Sequence, residues 1–271
     1  MPTISTDDGV RLSYDDSYGD GGDGPPVVLI AGFTAPRTSW SFQREALLAG
    51  GYRVVALDRR SHGDSENPAT GHTMARHGQD LANFLAAVDL REAVLIGGSQ
   101  GASTIWSYVR QFGTERIRAA IAVDQTPKML NSDDWPYGFY GYTEGNRDTY
   151  FAEGIPRTGH EPPRTPEVGL RMLQALSRPG ADPTKRPPLS PSDLALLHDH
   201  AIQDWRPEIA GMAVPMLLVA ARQSDFWPYE HAAAAGAQSA IMENVGHAAN
   251  IEDPDQFNTI MLNFLNATAR T

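Results

Sequence analysis

The sequence predicts an α/β fold, a mostly parallel central sheet flanked by helices, with a helical lid inserted after the strand ending near residue 124. Three observations carry this. Short apolar runs alternate with longer segments of helical period, the pattern of parallel strands covered on both faces. One of those runs, "VLIGGSQGAS" at residues 94 to 103, passes from β-branched residues through a glycine-serine turn into a helical segment. The alternation then fails between Thr126 and Trp205, where proline and aromatic residues accumulate.

Taken in order, the strands are "PPVVLIAG" (25 to 32), "YRVVALD" (52 to 58), "EAVLIGG" (92 to 98), "IRAAIAVD" (117 to 124) and "VPMLLVAA" (214 to 221), with "SAIMENV" (239 to 245) as a sixth. Each is short, apolar and bounded by turn residues, as a strand buried on both faces should be. Between the second and third lies "MARHGQDLANFLAAVDL" (74 to 90), whose Leu81, Phe84, Leu85 and Val88 fall on one helical face. A final helix runs from Pro254 to about Ala269, with Asp253 as its cap and proline at its first position.

Within the break, "EPPRTPE" and "KRPPLSPSD" are proline-rich and 134 to 151 is dense in aromatics. A structureless loop of that length does not suit a compact domain, so the segment reads as a small helical insertion. The expected organisation is a core of residues 1–126 and 206–271 with a lid of 127–205.

Composition narrows the function classes. Acidic residues outnumber basic ones 33 to 22, a formal charge of -11 that disfavours nucleic acid and anionic membrane surfaces. There is no cysteine, which excludes thiol chemistry, disulfides and thiolate metal sites. The N-terminal residues carry no basic-then-apolar pattern, and the longest apolar runs are half a membrane span, so a soluble cytoplasmic protein is expected. No cofactor is expected, the expected partner is a small-molecule substrate, and the oligomeric state stays open.

Gly97-Gly98-Ser99-Gln100-Gly101 fits G-x-S-x-G in the strand-turn-helix context that gives the motif meaning. A turn sharp enough to expose a serine leaves no room for side chains two residues away on either side, hence the glycines. A serine hydroxyl needs a base, and a base needs an orienting carboxylate. Asp225 follows the fifth of these strands and His247 follows the sixth. The chain order Ser99, Asp225, His247 is nucleophile, acid and base. Asp124, at the end of another strand, is the alternative acid, with a structural role as its other reading.

The strand order, the serine turn, the insertion after Asp124 and the "GH" near the C-terminus together resemble the α/β-hydrolase superfamily. Through "DRR" after residue 57 and "DWRPEIAGMAVP" (204 to 215), the chain is most similar to the cofactor-free haloperoxidase and aryl esterase group. The resemblance implies an oxyanion hole formed by the backbone amides of Phe33 and Gln100. It departs from the family at Ala31-Gly32, where His-Gly is usual, and at Gln100, where that group usually has methionine.

These residues imply a serine hydrolase acting on a carboxylic ester or lactone of a small apolar or aromatic substrate through an acyl-enzyme on Ser99. Trp135, Tyr137, Phe139, Tyr140 and Trp227 are the candidate substrate-binding residues, against the alternative that they pack the lid onto the core. Other readings remain open: perhydrolase or haloperoxidase activity, C–C bond hydrolysis or ring cleavage, and a ligand receptor on a hydrolase fold. His62 reads as a loop brace, and His198 and His200, two apart, as a solvated face. Gly19, Gly21 and Gly24 match G-x-G-x-x-G but precede a strand, the wrong context for a dinucleotide.

Overall fold

The computed structural model describes residues 1–19, 24–177 and 188–268. Gly21, part of the proline-rich run at 185 to 187, and Ala269 lie outside the described residues. Among the described residues, eight strands form one sheet in the order β1-β2-β4-β3-β5-β6-β7-β8. They are β1 (Thr3–Ser5), β2 (Arg11–Tyr18), β3 (Val27–Ile30), β4 (Arg53–Leu57), β5 (Ala93–Gly98), β6 (Ile117–Val123), β7 (Met216–Ala221) and β8 (Gln238–Met242). β1 and β2 join antiparallel, and from β4 to β8 every pairing is parallel.

The six expected strands are present. β1 and β2 escaped the pattern of buried runs because "RLSYDDSY" is a half-exposed edge ribbon, polar at every second position. Its Arg53–Asp16 ion pair, at 2.7 Å, fastens it to β4.

Alternation along the parallel strands sorts side chains strictly between two cores. Val28, Ile30, Val55, Leu57, Leu95, Ala120 and Leu218 face one side, where α2 (Met74–Ala87) and α3 (Gln100–Phe112) contribute Leu81, Phe84, Leu85, Ile105 and Trp106. Val27, Leu29, Val54, Ile96, Ile121 and Val219 face the other. There α1 (Ser41–Ala49) adds Leu47, and α9 (Pro254–Thr268) adds Phe257, Met261 and Phe264. Trp106 is therefore a core residue, fully buried under the sheet. Truncating a side chain such as Phe257 to alanine costs about 3–5 kcal/mol.

The chain passes from β3 outward to β4 and returns on the other side of β3 as β5. The connections leaving β3 and β5 therefore diverge to opposite faces, and a crevice opens at their carboxyl ends. The loop after Ile30 and the turn at Ser99 both lie there.

Between β6 and β7 the chain builds α4 (Pro166–Leu176), α5 (Pro191–Ala201) and α6 (Arg206–Ala210). The ends of the 127–205 segment meet, since the Trp205 amide donates to Pro127 O at 2.9 Å and Lys128 bridges Asp204. The segment has an apolar cluster of its own, with Met129, Phe139, Tyr142, Phe151 and Leu197, completed by Trp227 from beyond β7. Its α5 is tied to the core by the buried His200, whose Nε2 lies 2.9 Å from Ser103 Oγ in α3. That corrects the solvated reading of His200, while His198 beside it is half-buried. The two do face apart, and no cluster able to hold a metal ion occurs among the described residues.

Candidate active site

Ser99 follows Gly98 at the carboxyl end of β5 with φ 49° and ψ -126°, a conformation that L-residues rarely adopt. Gly97 and Gly101 make it possible. A Cβ on Gly97 would lie 2.5 Å from the Ala102 nitrogen, and one on Gly101 would lie 2.2 Å from the Ile30 carbonyl oxygen. The turn thus brings the start of α3 against the ends of β5 and β3, and no side chain fits between them. Ser99 stands at the amino end of a thirteen-residue helix, where unsatisfied N–H groups favour developing negative charge.

Beside it, the Ser99 amide donates to Val123 O at 2.8 Å, so the next residue, Asp124, ends the neighbouring strand at the same level. Strand spacing puts the two backbones about 5 Å apart. Asp124 is also strained, with φ 40°, and is fully buried.

Asp124, and not Asp225, meets the imidazole. His247 Nδ1 lies 2.8 Å from Asp124 Oδ2. The carboxylate also accepts from Ser224 Oγ at 2.6 Å and from the Ala221 amide at 2.9 Å. His231, buried as well, comes within 3.9 Å of its other oxygen, too far for a hydrogen bond. Burial pushes the Asp124 carboxyl up, but the imidazoles of His231 and His247 beside it hold it at about 2. An ionised Asp124 holds the His247 proton on Nδ1 and leaves Nε2 as the basic nitrogen.

Asp225 serves the same loop through its backbone. Its Oδ2 accepts from the His247 amide at 2.9 Å, and both its oxygens bond Arg164, at 3.1 and 2.8 Å. The expectation that Asp225 orients the ring is corrected on this geometry: the carboxylate is aimed at the main chain and is already occupied by a guanidinium. Chain position alone does not separate the two acids, because each ends a strand on the same edge of the sheet.

The loop after β3 lies over the serine, and a Cβ on Gly32 would be 3.3 Å from Ser99 Cβ. Among the described residues, the amides of Phe33 and Gln100 donate to no protein acceptor. What fixes them is Arg59, a residue to which sequence reasoning assigned no role. Its Nη2 donates to Gly32 O at 2.7 Å, its Nε to Ala31 O at 3.0 Å and its Nη1 to the Gln100 side chain at 2.8 Å. Because a trans peptide is planar, anchoring the Gly32 carbonyl toward Arg59 directs the Phe33 N–H the opposite way. Burial pulls the guanidinium down to about 9, with Asp58 opposing, so it stays charged at neutral pH.

Two imidazoles complete its surroundings, His62 Nε2 at 2.9 Å and His77 Nδ1 at 3.1 Å. His62 Nδ1 lies 2.7 Å from Arg60 O, which holds the ring within this loop as the brace reading expects. The missing family histidine at Ala31 was the signal available in the sequence. A small residue there calls for another group to hold the loop.

The candidate substrate-binding aromatics divide. Phe139 stacks on Phe226 with ring centroids 5.2 Å apart, and Phe226 and Trp227 pack on His247 at 4.4 and 5.3 Å. Tyr140 donates its amide to Phe226 O and stacks on His160. Trp135, as buried as Phe139 and Trp227, lies away from His247, its indole N–H bonded to Thr126 Oγ1 and Lys128 O, with Tyr137 edge-on against it. Those two fasten the start of the segment to the core.

A model of the alpha/beta hydrolase family matches residues 27–260. The chain is a member of the alpha/beta hydrolase family. The non-heme chloroperoxidase of Streptomyces lividans is 40% identical over 139 residues, an alignment spanning 51% of this chain and 50% of that protein. Two solved structures share the fold. The esterase EaEST from Exiguobacterium antarcticum superposes with a TM-score of 0.78 at 21% identity, covering 97% of this chain and 98% of that one. The bromoperoxidase from Bacillus anthracis gives 0.76 at 23% identity, covering 98% and 100%. Among the described residues no helix of this hydrolase is long and apolar enough to cross a membrane.

Proposed function

We propose that this hydrolase cleaves a carboxylic ester or lactone of a small apolar or aromatic substrate through an acyl-enzyme on Ser99. The observation that carries the reading is the pairing of the buried Asp124 with the half-buried His247, with Asp124 beside a serine held in a strained strand-to-helix turn. Ser99 Oγ attacks the carbonyl carbon and its proton passes to His247 Nε2. The carbonyl oxygen takes the negative charge and is met by the amides of Phe33 and Gln100, directed by Arg59 from behind. As the tetrahedral adduct collapses, the C–O bond to the alcohol breaks and His247 returns the proton to the departing oxygen. Water then attacks the acyl-enzyme with His247 again taking the proton, and Ser99 is released. In this reading residues 127–205 form a lid, with Tyr140 and Phe226 giving the site its apolar wall and the buried Phe139 and Trp227 packed behind them.

Similarity to a non-heme chloroperoxidase favours a second reading on the same residues. Hydrogen peroxide replaces water in the second half, so that the acyl-enzyme yields a peracid and free Ser99. Gln100, whose side chain is committed to Arg59, stands where that group usually carries methionine, so ester hydrolysis leads.

The test is turnover of p-nitrophenyl esters and lactones of graded acyl size by wild type and Ser99→Ala, with and without peroxide and bromide. Sustained turnover by wild type alone, with phosphonate labelling confined to Ser99, is expected. Equal turnover by Ser99→Ala would sink the mechanism, and peracid formation faster than hydrolysis would promote the second reading.

A further inference from the structure

Two buried carboxylates outside the Ser99–His247–Asp124 cluster hold the main chain of the histidine loop. Asp225 accepts the His247 amide at 2.9 Å, and Glu252 Oε2 accepts the Gly246 amide at 2.8 Å. Their side chains are 6% and 4% exposed, so each is a desolvated anion that needs a cation. One residue supplies it to both. Arg164 Nη2 lies 2.8 Å from Asp225 Oδ2 and 3.0 Å from Glu252 Oε1, and its Nε is 3.2 Å from the same Glu252 oxygen. Arg164 comes from the segment between β6 and β7, not from the sheet that carries the serine. That stretch touches the same two residues twice more, at their backbone carbonyls: Thr158 Oγ1 donates to Asp225 O, and Arg171 Nη1 to Glu252 O at 2.8 Å.

We infer that Arg164 is a positioning residue for His247, acting through Asp225 and Glu252, so that the base is held in place only while the inserted segment is seated. This rests on the serine-hydrolase reading. Nothing in the chemistry requires Arg164 to touch substrate. Its guanidinium neutralises two anions whose remaining lone pairs fix consecutive amides, and the imagined loss of the cation leaves two buried like charges that would push the loop apart. The imidazole would then drift from Asp124, whose own position is set independently by Ala221 and Ser224.

The test compares wild type, Arg164→Met and the double variant Arg164→Met/Glu252→Gln. The glutamine keeps a carbonyl oxygen for the Gly246 amide and returns the net charge of the cluster to its native value. For p-nitrophenyl acetate, Arg164→Met is expected to lower kcat about 10–100-fold with KM within about threefold, and the double variant to recover most of that loss. An activity-independent readout is the His247 Nδ1–H resonance in 15N-histidine-labelled protein, assigned by its loss in His247→Gln. It is expected to broaden away in Arg164→Met and to return in the double variant.

The inference is overturned if Arg164→Met folds with both kcat and the resonance unchanged, or if the double variant recovers neither, which would make the loss one of packing. If wild type fails to hydrolyse any ester while the resonance responds as expected, the functional reading fails and the positioning role stands. Should Arg164→Met fail to fold, Arg164→Gln carries the test, because its amide removes the charge but keeps a hydrogen-bond donor for the two carboxylates. Native kcat and an unchanged resonance in Arg164→Gln would then overturn the role.

Discussion

Asp124→Asn separates the two candidate acids, and its effect can be worked from the hydrogen bonds at each oxygen. Oδ1 accepts the Ala221 amide, a main-chain donor that cannot reverse its polarity. Asparagine must therefore place its oxygen there and turn its NH2 group toward Ser224 and His247 Nδ1, which now has to accept. The ring is driven to the tautomer with its proton on Nε2, the nitrogen that must be free to take the serine proton. In a triad where this same swap has been characterised, kcat falls about 10⁴-fold, and four decades correspond to about 5.4 kcal/mol of barrier.

Asp225→Asn makes the opposite case. Asparagine can keep its oxygen on the His247 amide and loses only the charge facing Arg164, so a fall of about tenfold or less in kcat is expected. Both variants, with wild type, are assayed for kcat and KM on one ester, with a thermal melt of each to confirm folding. If Asp225→Asn is crippled and Asp124→Asn retains activity, the assignment from hydrogen-bond geometry is refuted and the order read from the sequence is restored.

Arg59→Met is expected to lower kcat about 10²-fold with little change in KM, since it releases the Gly32 carbonyl and frees the Phe33 amide to rotate; affinity for a trifluoromethyl ketone should fall in parallel. Gly101→Ala should destabilise the fold by about 3 kcal/mol or more, read as a depressed melting temperature, because its methyl would overlap the Ile30 carbonyl. Acid should destabilise the protein progressively from pH 6.5 down. Burial holds His200 down to about 3, so between those values the unfolded chain takes a proton that the native state refuses, and stability rises with pH across that window. His200→Gln, followed by denaturant titration at pH 4.5 and 7.5, should flatten that slope; an unchanged slope would show that His200 does not carry it.

The parallel strands were legible in the sequence because each is a short apolar run, and burial on both faces demands that composition whatever the neighbours are. The serine turn was legible for a similarly local reason: glycine two residues to either side is what close approach of α3 to β5 and β3 requires. His247 followed from its place after the last strand. The partner of its ring did not, because two aspartates end strands on the same edge of the sheet and only the direction of each carboxylate tells them apart. Arg59 and Arg164 were hidden for a further reason. Each acts on residues distant in the chain, Arg59 on carbonyls at 31 and 32 and Arg164 on Asp225 and Glu252. Local pattern determined which segments form strands, turns and helices; the pairing of buried charges is a long-range choice, made only when the strands assemble and desolvated groups must find the partner within reach.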